Sequence, residues 1–254
     1  MQVPPPERRA PAAPDADARP GYRRLLVVEP SDASVVAMLE DDMHRMAVVL
    51  HHADGLVVAI EPVMDRAPWD TCPGARARLI ETFNGTALAE VTARREKKQN
   101  CTHLHDLAVL AAAHAHDDGK SSWDIRVSDP ENGERILTIR RNGILQHRWQ
   151  ERDGMLVAPA AVAGKHLMAL RDWIGSLSGA EQESARLLQW GGLVAHGRTI
   201  PLDQQSQASA LPANCYTLQP ERAIHARRVG QSLDFSEGPR KPLAGMDESV
   251  RSNR

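Results

Sequence analysis

Aromatic residues are scarce: Trp, Tyr and Phe together make up 4% of the chain. A core must therefore be built from Leu, Val, Ile, Met and Ala. At 42% hydrophobic residues there is enough of these for one large domain or two small ones. Cysteine is scarcer still. Three residues, Cys72, Cys101 and Cys215, are an odd number and too few for a disulfide framework, so a reducing, cytoplasmic setting is expected. An excess of one charge is missing too. A formal net charge of −2 gives no global positive field for nucleic acid or anionic lipid. No apolar run nears the roughly 20 residues that span a bilayer, so no membrane partner is expected. Nor is there a GxGxxG, GxxxxGKS, GxxxxGKT or GxSxG motif, which argues against the common nucleotide folds and the α/β-hydrolases.

What is present is a grammar used twice. Residues 23–29 (RRLLVVE), 33–39 (ASVVAML), 45–52 (RMAVVLHH) and 56–61 (LVVAIE) have strand composition, and Asp54-Gly55 between the last two is a hairpin signal. Helical patterns follow at 73–83, 86–98 and 102–116. Strands then return at 123–129, 134–141 and 144–150, with Asn132-Gly133, Asn142-Gly143 and Asp153-Gly154 at turns. Two further helices are expected, over 164–177 and 179–190, the second stopped by Gly191-Gly192. Strands first and helices after is α+β organisation: antiparallel meanders over 23–63 and 123–150, each followed by helices over 73–116 and 164–190. The Pro-rich stretch 1–21 has no apolar signal region and reads as a disordered tail. Residues 22–236 form the domain, with sub-domains 22–118 and 121–236 as an alternative. Short strands and loops are expected over 197–235, a linker over 204–214, and a second disordered tail over 237–254.

The stretch QNCTHLHDLAVLAAAHAHDD (99–118) concentrates candidates. As a helix it buries Leu104, Leu107, Ala108, Ala111 and Ala115. His105 and His116 then share one face and His103 and His114 another, so the histidines do not converge, and no HExxH is present. His114 and His116 are expected on the solvated face. Cys101 and His103 sit at the helix start, where unpaired N–H groups and the helix dipole favour an anion. That setting lowers a thiol pKa and favours a neutral imidazole. Two readings stand: a reactive or pocket-lining pair, or a small buried thiol beside a capping histidine.

LEDDMHRM (39–46) places Asp41, Asp42 and His44 before a strand. The acids either orient the His44 ring or belong to a solvated turn. In IEPVMDRAPWDTCPG (60–74), Val57, Ala59 and Glu61 are expected on one strand face. Glu61 is then a rim residue or a buried acid with a raised pKa. Asp65 and Cys72 follow in a Pro-rich loop, and Cys72, before Pro73-Gly74, is a second thiolate candidate. NCYTLQPE (214–221) carries Cys215 and Tyr216, as packing or as pocket lining. Cys72, Cys101, His103 and Cys215 offer zinc-ligating atoms, but there is no CxxC.

His44 and Met46 open one strand and Glu61 ends the next. Asp65, Trp69, Cys72 and Pro73 follow, and then Cys101, Thr102, His103 and Leu104 open a helix. In this order the chain resembles DUF2889, a family of bacterial proteins of unknown function. The resemblance covers residues 23–118 and, through RNGILQHRW and CYTLQPE, extends to about residue 236. The family often has an acid where this chain has Arg45, which leaves Asp41 or Asp42 to substitute. The resemblance singles out His44, Glu61, Cys72, Cys101 and His103 as a set. It implies a place in catabolism of aromatic, steroid or acyl-thioester compounds, and supplies no activity.

The expected function is a cofactor-independent small-molecule enzyme of lyase or hydratase type. His44 or Glu61 would be the acid/base group, with Cys101 and His103 in the catalytic pocket and Asp65, Trp69, Cys72 and Tyr216 contacting substrate. A non-catalytic accessory protein of a catabolic complex is the first alternative. A domain held by zinc on Cys72, Cys101 and His103 is the second. The oligomeric state is left open, a homo-oligomer included.

Overall fold

A computed structural model describes residues 19–94, 96–199, 207–246 and 250. The tail expected before residue 19 and the start of the expected linker, 204–206, lie outside the described residues.

Eight strands form one sheet: β1 (Gly21–Pro30), β2 (Ser34–Asp41), β3 (Arg45–Ala53), β4 (Leu56–Arg66), β5 (Ser121–Ser128), β6 (Glu134–Arg141), β7 (Ile144–Arg152) and β8 (Met155–Ala158). The order is β4-β3-β2-β1-β5-β6-β7-β8, and every neighbour pair is antiparallel. The two meanders are thus halves of one sheet, joined where β1 pairs with β5 from Gly21↔Ser128 to Val28↔Ser121. The hairpin turns form where Asx-Gly predicts them. Asp54 and Gly55, for example, take φ of 50° and 76°, the left-handed geometry that a type I′ turn needs.

Helices cover one face. α1 (Ala75–Phe83), the one-turn α2 (Leu88–Val91) and α3 (Thr102–Ala113) lie on the first half of the sheet; α4 (Arg171–Ser176) and α5 (Gly179–Ala195) lie on the second. A further turn, α6, spans Pro220–Ala223. Strand alternation supplies the core: Tyr22, Leu26 and Val28 face the helices, while Val27 faces the other way. Trp123, Ile125, Val127, Leu137, Ile139 and Trp149 continue the same core into the second half.

The second face differs between the halves. On the first half it is apolar, with Val27, Met38, Ala47, Val49 and Val63, and Met246 and Val250 close over it. Leu243 N–H donates to Glu40 Oε2 at 2.6 Å, and Arg45 donates to the Ala244 carbonyl at 3.1 Å. The expectation of a loose tail from residue 237 therefore fails for 243–246 and 250, because these residues have apolar surface to cover. On the second half, Asp124 and Arg126 alternate with core residues and pair with each other at 2.7 Å on the far side.

Three helix expectations need correction. Residues 86–98 are not one helix. α2 ends at Val91, Arg94 turns back to donate to Thr86 Oγ1 at 3.1 Å, and a 3-10 turn spans Glu96–Gln99. Residues 164–177 break into a 3-10 turn, Leu167–Ala169, and α4. Gly191-Gly192 does not stop α5. A Cβ on Gly191 would meet Ile125 Cγ2 at 2.8 Å, and one on Gly192 would meet Leu137 Cδ2 at 2.6 Å. The glycines let the helix lie close on the sheet and continue to Ala195. Over 197–235 the described residues form turns and α6, with one isolated strand bridge, Trp69↔Arg228.

Candidate functional site

The turn between β2 and β3 is where the site is built. Asp41 ends β2, and its Oδ1 accepts the backbone N–H groups of Met43 and His44, both at 2.8 Å. This side-chain-to-backbone closure is what an Asx residue offers a tight turn. The same Oδ1 lies 3.0 Å from His44 Nδ1. Oδ2 takes the remaining donors: Tyr22 Oη at 2.8 Å, Arg24 Nε at 3.0 Å and Arg24 Nη2 at 2.7 Å. β1 delivers both because Arg24 is the register partner of Asp41. Asp41 is fully buried, and burial opposes its charge. His44 and Arg24 overcome that and hold the carboxyl well below its usual range. Tyr22, pushed up mainly by burial, stays a proton donor.

His103 comes down from the first turn of α3. Its ring stacks on His44 with centroids 3.8 Å apart, and Arg24 Nη2 lies 3.0 Å from its Nε2. A guanidinium only donates, so His103 Nε2 accepts and any ring proton is on Nδ1. Burial, then the neighbouring His44 and Arg24, push its pKa well below the usual imidazole value. His44 is 7% exposed, and its Nε2 takes no hydrogen bond from the described residues.

Asp42 has other partners. The Arg23 backbone N–H points to its Oδ1 at 3.4 Å, and Arg198 bonds its Oδ2. Arg198 divides its donors among Asp42, Asp129 and Asp234. Burial therefore prevails over the shared guanidinium, and the Asp42 carboxyl is pushed up to about 7. Asp42, Asp129, Arg198 and Asp234 line a cavity of about 280 Å³.

The eight expected site residues separate. His44 and His103 meet. Cys101 caps α3 beside them, with Sγ 3.9 Å from Met46 Sδ. Burial pushes its thiol up to about 12, outweighing the lowering by the Leu104 and His103 backbone N–H groups at the helix start. Cys72 and Cys215 are likewise raised by burial, so none of the three is a stabilised thiolate, and all are free. Trp69 and Cys72 belong to a separate small core with Ala208, Ala223 and Ala226. Tyr216 abuts Gly74, where an added Cβ would lie 2.8 Å from its hydroxyl. Asp65 sits 3.4 Å from Arg45 Nε at the covered edge of the second face.

Glu61 is exposed, bonded to His51 at 2.9 Å. A register shift between His51 and His52 breaks the alternation on which its expected face rested. Val57 faces the helices, while Glu61 lies opposite Val49 on the second face. His114, expected in solvent, is buried, with Asp117 at 2.7 Å and Glu183 at 3.1 Å. Sequence reasoning undervalued Asp41 and missed Arg24 and Tyr22. The signal for Arg24 was an arginine in phase with Leu26 and Val28 on an apolar strand.

Among the described residues, the group of three metal-ligating side chains that converges is Asp41, His44 and His103, with ligand atoms within 4.8 Å of one another. The zinc alternative on Cys72, Cys101 and His103 finds no such convergence there. The converging set is also poorly suited to a cation. Arg24 occupies the acceptors on both Asp41 and His103, and Asp41 already accepts six hydrogen bonds.

Residues 29–116 match a family model described as "Protein of unknown function (DUF2889)". The match runs from the end of β1 through β2 to β4 and on to α1, α2 and α3. That region holds Asp41, His44 and His103, whereas Tyr22, Arg24 and the second meander lie outside the match. No curated protein and no solved structure matches the chain. Among the described residues no helix is long and apolar enough to cross a membrane.

Proposed function

We propose that this chain is a small-molecule enzyme of acid/base type, a lyase or hydratase needing no cofactor, with His44 as the proton-transfer group. The observation that carries this reading is the 3.0 Å contact between His44 Nδ1 and the ionised Asp41. A carboxylate on one ring nitrogen fixes the tautomer and leaves the other nitrogen as a base. Asp41 is a positioning residue, itself immobilised by Arg24, Tyr22 and two backbone donors. His103 keeps the opposite ring face dry and adds no charge. Asp42, titrating near neutrality, is a second group able to exchange a proton at this turn.

The test is a proton NMR screen in D2O of hydroxy acids, enoates and β-keto acids with the full chain. Deuterium incorporation or water addition is expected for a subset and should be lost in His44→Gln. Turnover by His44→Gln at the parent rate would remove His44 from the chemistry. Silence across the panel from the folded protein would favour the accessory-protein reading.

A further inference from the structure

A second cavity, larger than the one at Asp42, lies away from the turn. It encloses about 600 Å³ between α3, the 3-10 turn Glu96–Gln99, α4 and α5. That is within the usual range for small-molecule sites, roughly 300–1,000 Å³. Its floor is apolar, with Val109, Ile174, Leu193 and the ring of Trp190. Its rim is cationic, with Arg94, Lys97, Lys98, Arg171 and Arg186.

Two acids line it, and both are engaged. Glu96 pairs with Arg94 at 3.0 Å, and Asp106 pairs with Lys97 at 2.7 Å. Lys97 is further held over Trp190, its Nζ 3.8 Å from the ring centroid. Lys98, Arg171 and Arg186 then face the cavity with no ion pair among the described residues. Arg186 is half-buried on α5 and repels the Lys97 ammonium. Two like charges with restricted access to water beside an apolar floor are a standing invitation to an anion. A purely apolar guest would leave the cations unmatched, and a small inorganic anion would leave the floor wet.

We propose that this cavity binds a small amphipathic organic anion, with its carboxylate or phosphate between Arg186 and Lys97 and its apolar body on Trp190, Ile174 and Leu193. The site stands independently of the acid/base reading, since binding here requires nothing of His44.

Isothermal titration of the full chain with octanoate, octyl phosphate, octanol and octylamine tests it. Both anions should bind, with octanol and octylamine at least tenfold weaker, because a charge-assisted contact to a guanidinium is worth about that factor or more. The tighter of the two anions identifies the head group. Arg186→Gln should weaken the anions about tenfold and leave octanol unchanged. Arg171→Gln, at an exposed rim position, should weaken them less and guards against a folding defect in the first variant. Raised salt should weaken the anions only. Octanol binding as tightly as octanoate, anion binding unaltered by Arg186→Gln in a folded variant, or no anion binding at millimolar concentration would each overturn the proposal.

Discussion

The two halves of the sheet share a strand grammar and differ in what covers them. In the first half, helices close one face and Leu243, Met246 and Val250 close the other, so the turn carrying Asp41 and His44 sits in a region shielded from both sides. In the second half, the far face keeps charged side chains such as Asp124 and Arg126 within reach of water. The same pairing of Arg with Asp therefore has different consequences. Arg24 and Asp41 are both almost fully buried, whereas Arg126 and Asp124 have side chains 29% and 35% exposed. Topology supplies the scaffold twice, and double coverage makes one copy suitable for strong electrostatics.

The largest effect expected from breaking this contrast is at Arg24. Arg24→Met leaves the Asp41 charge buried without its guanidinium partner, which should cost about 3–5 kcal/mol in urea unfolding. Arg126→Met, in the second half, should cost under about 1 kcal/mol. Equal losses would mean that double coverage does not distinguish the halves. A mid-sized effect is expected where α5 meets the sheet. Gly192→Ala pushes a Cβ into Leu137 and Leu167, and should cost about 1–3 kcal/mol after allowing for better helix propensity. Gly175→Ala, with nothing within 4 Å of its added Cβ, should be stabilising by up to about 1 kcal/mol.

The smallest effect concerns the seam. His114, at the end of α3, reaches Glu183 on α5 and so ties the halves together. Its hydrogen bonds to Glu183 and Asp117 raise its pKa above the ordinary value. A raised histidine contributes stability that is fully present below about pH 6.5 and is lost as pH rises through the folded-state pKa. The melting temperature of the parent should therefore exceed that of His114→Gln most at pH 5 to 6, with the gap narrowing above it. A gap that is flat with pH would mean that the seam does not use the imidazolium.

What was legible in the sequence follows from how local its causes are. The hairpin turns were readable because Asx-Gly pairs encode their own left-handed geometry. α3 was readable from its apolar spacing. Asp41 read equally well as turn polarity, because its burial depends on Arg24 and Tyr22 one strand away and on His103 from a helix. Glu61 went to the wrong face because a bulge at His51 and His52 leaves no residue-type signature. Gly191-Gly192 looked like a stop because the close approach to Ile125 and Leu137 is a tertiary fact. The cationic cavity escaped notice because Lys97, Arg171 and Arg186 come from three segments that no spacing rule connects.

The covering of the second face also bears on the order of events during synthesis. Leu243 meets Glu40 across 203 positions, and Ala244 meets Arg45 across 199. On a chain emerging from its N-terminus, β1 to β4 must wait with a bare apolar face until those residues are free of the ribosome. Contacts so distant in sequence form late, and bare strands are a standing risk of association with other nascent chains. Holding that face out of trouble until its cover arrives is a task for chaperones, and fragments ending before residue 243 should need them most.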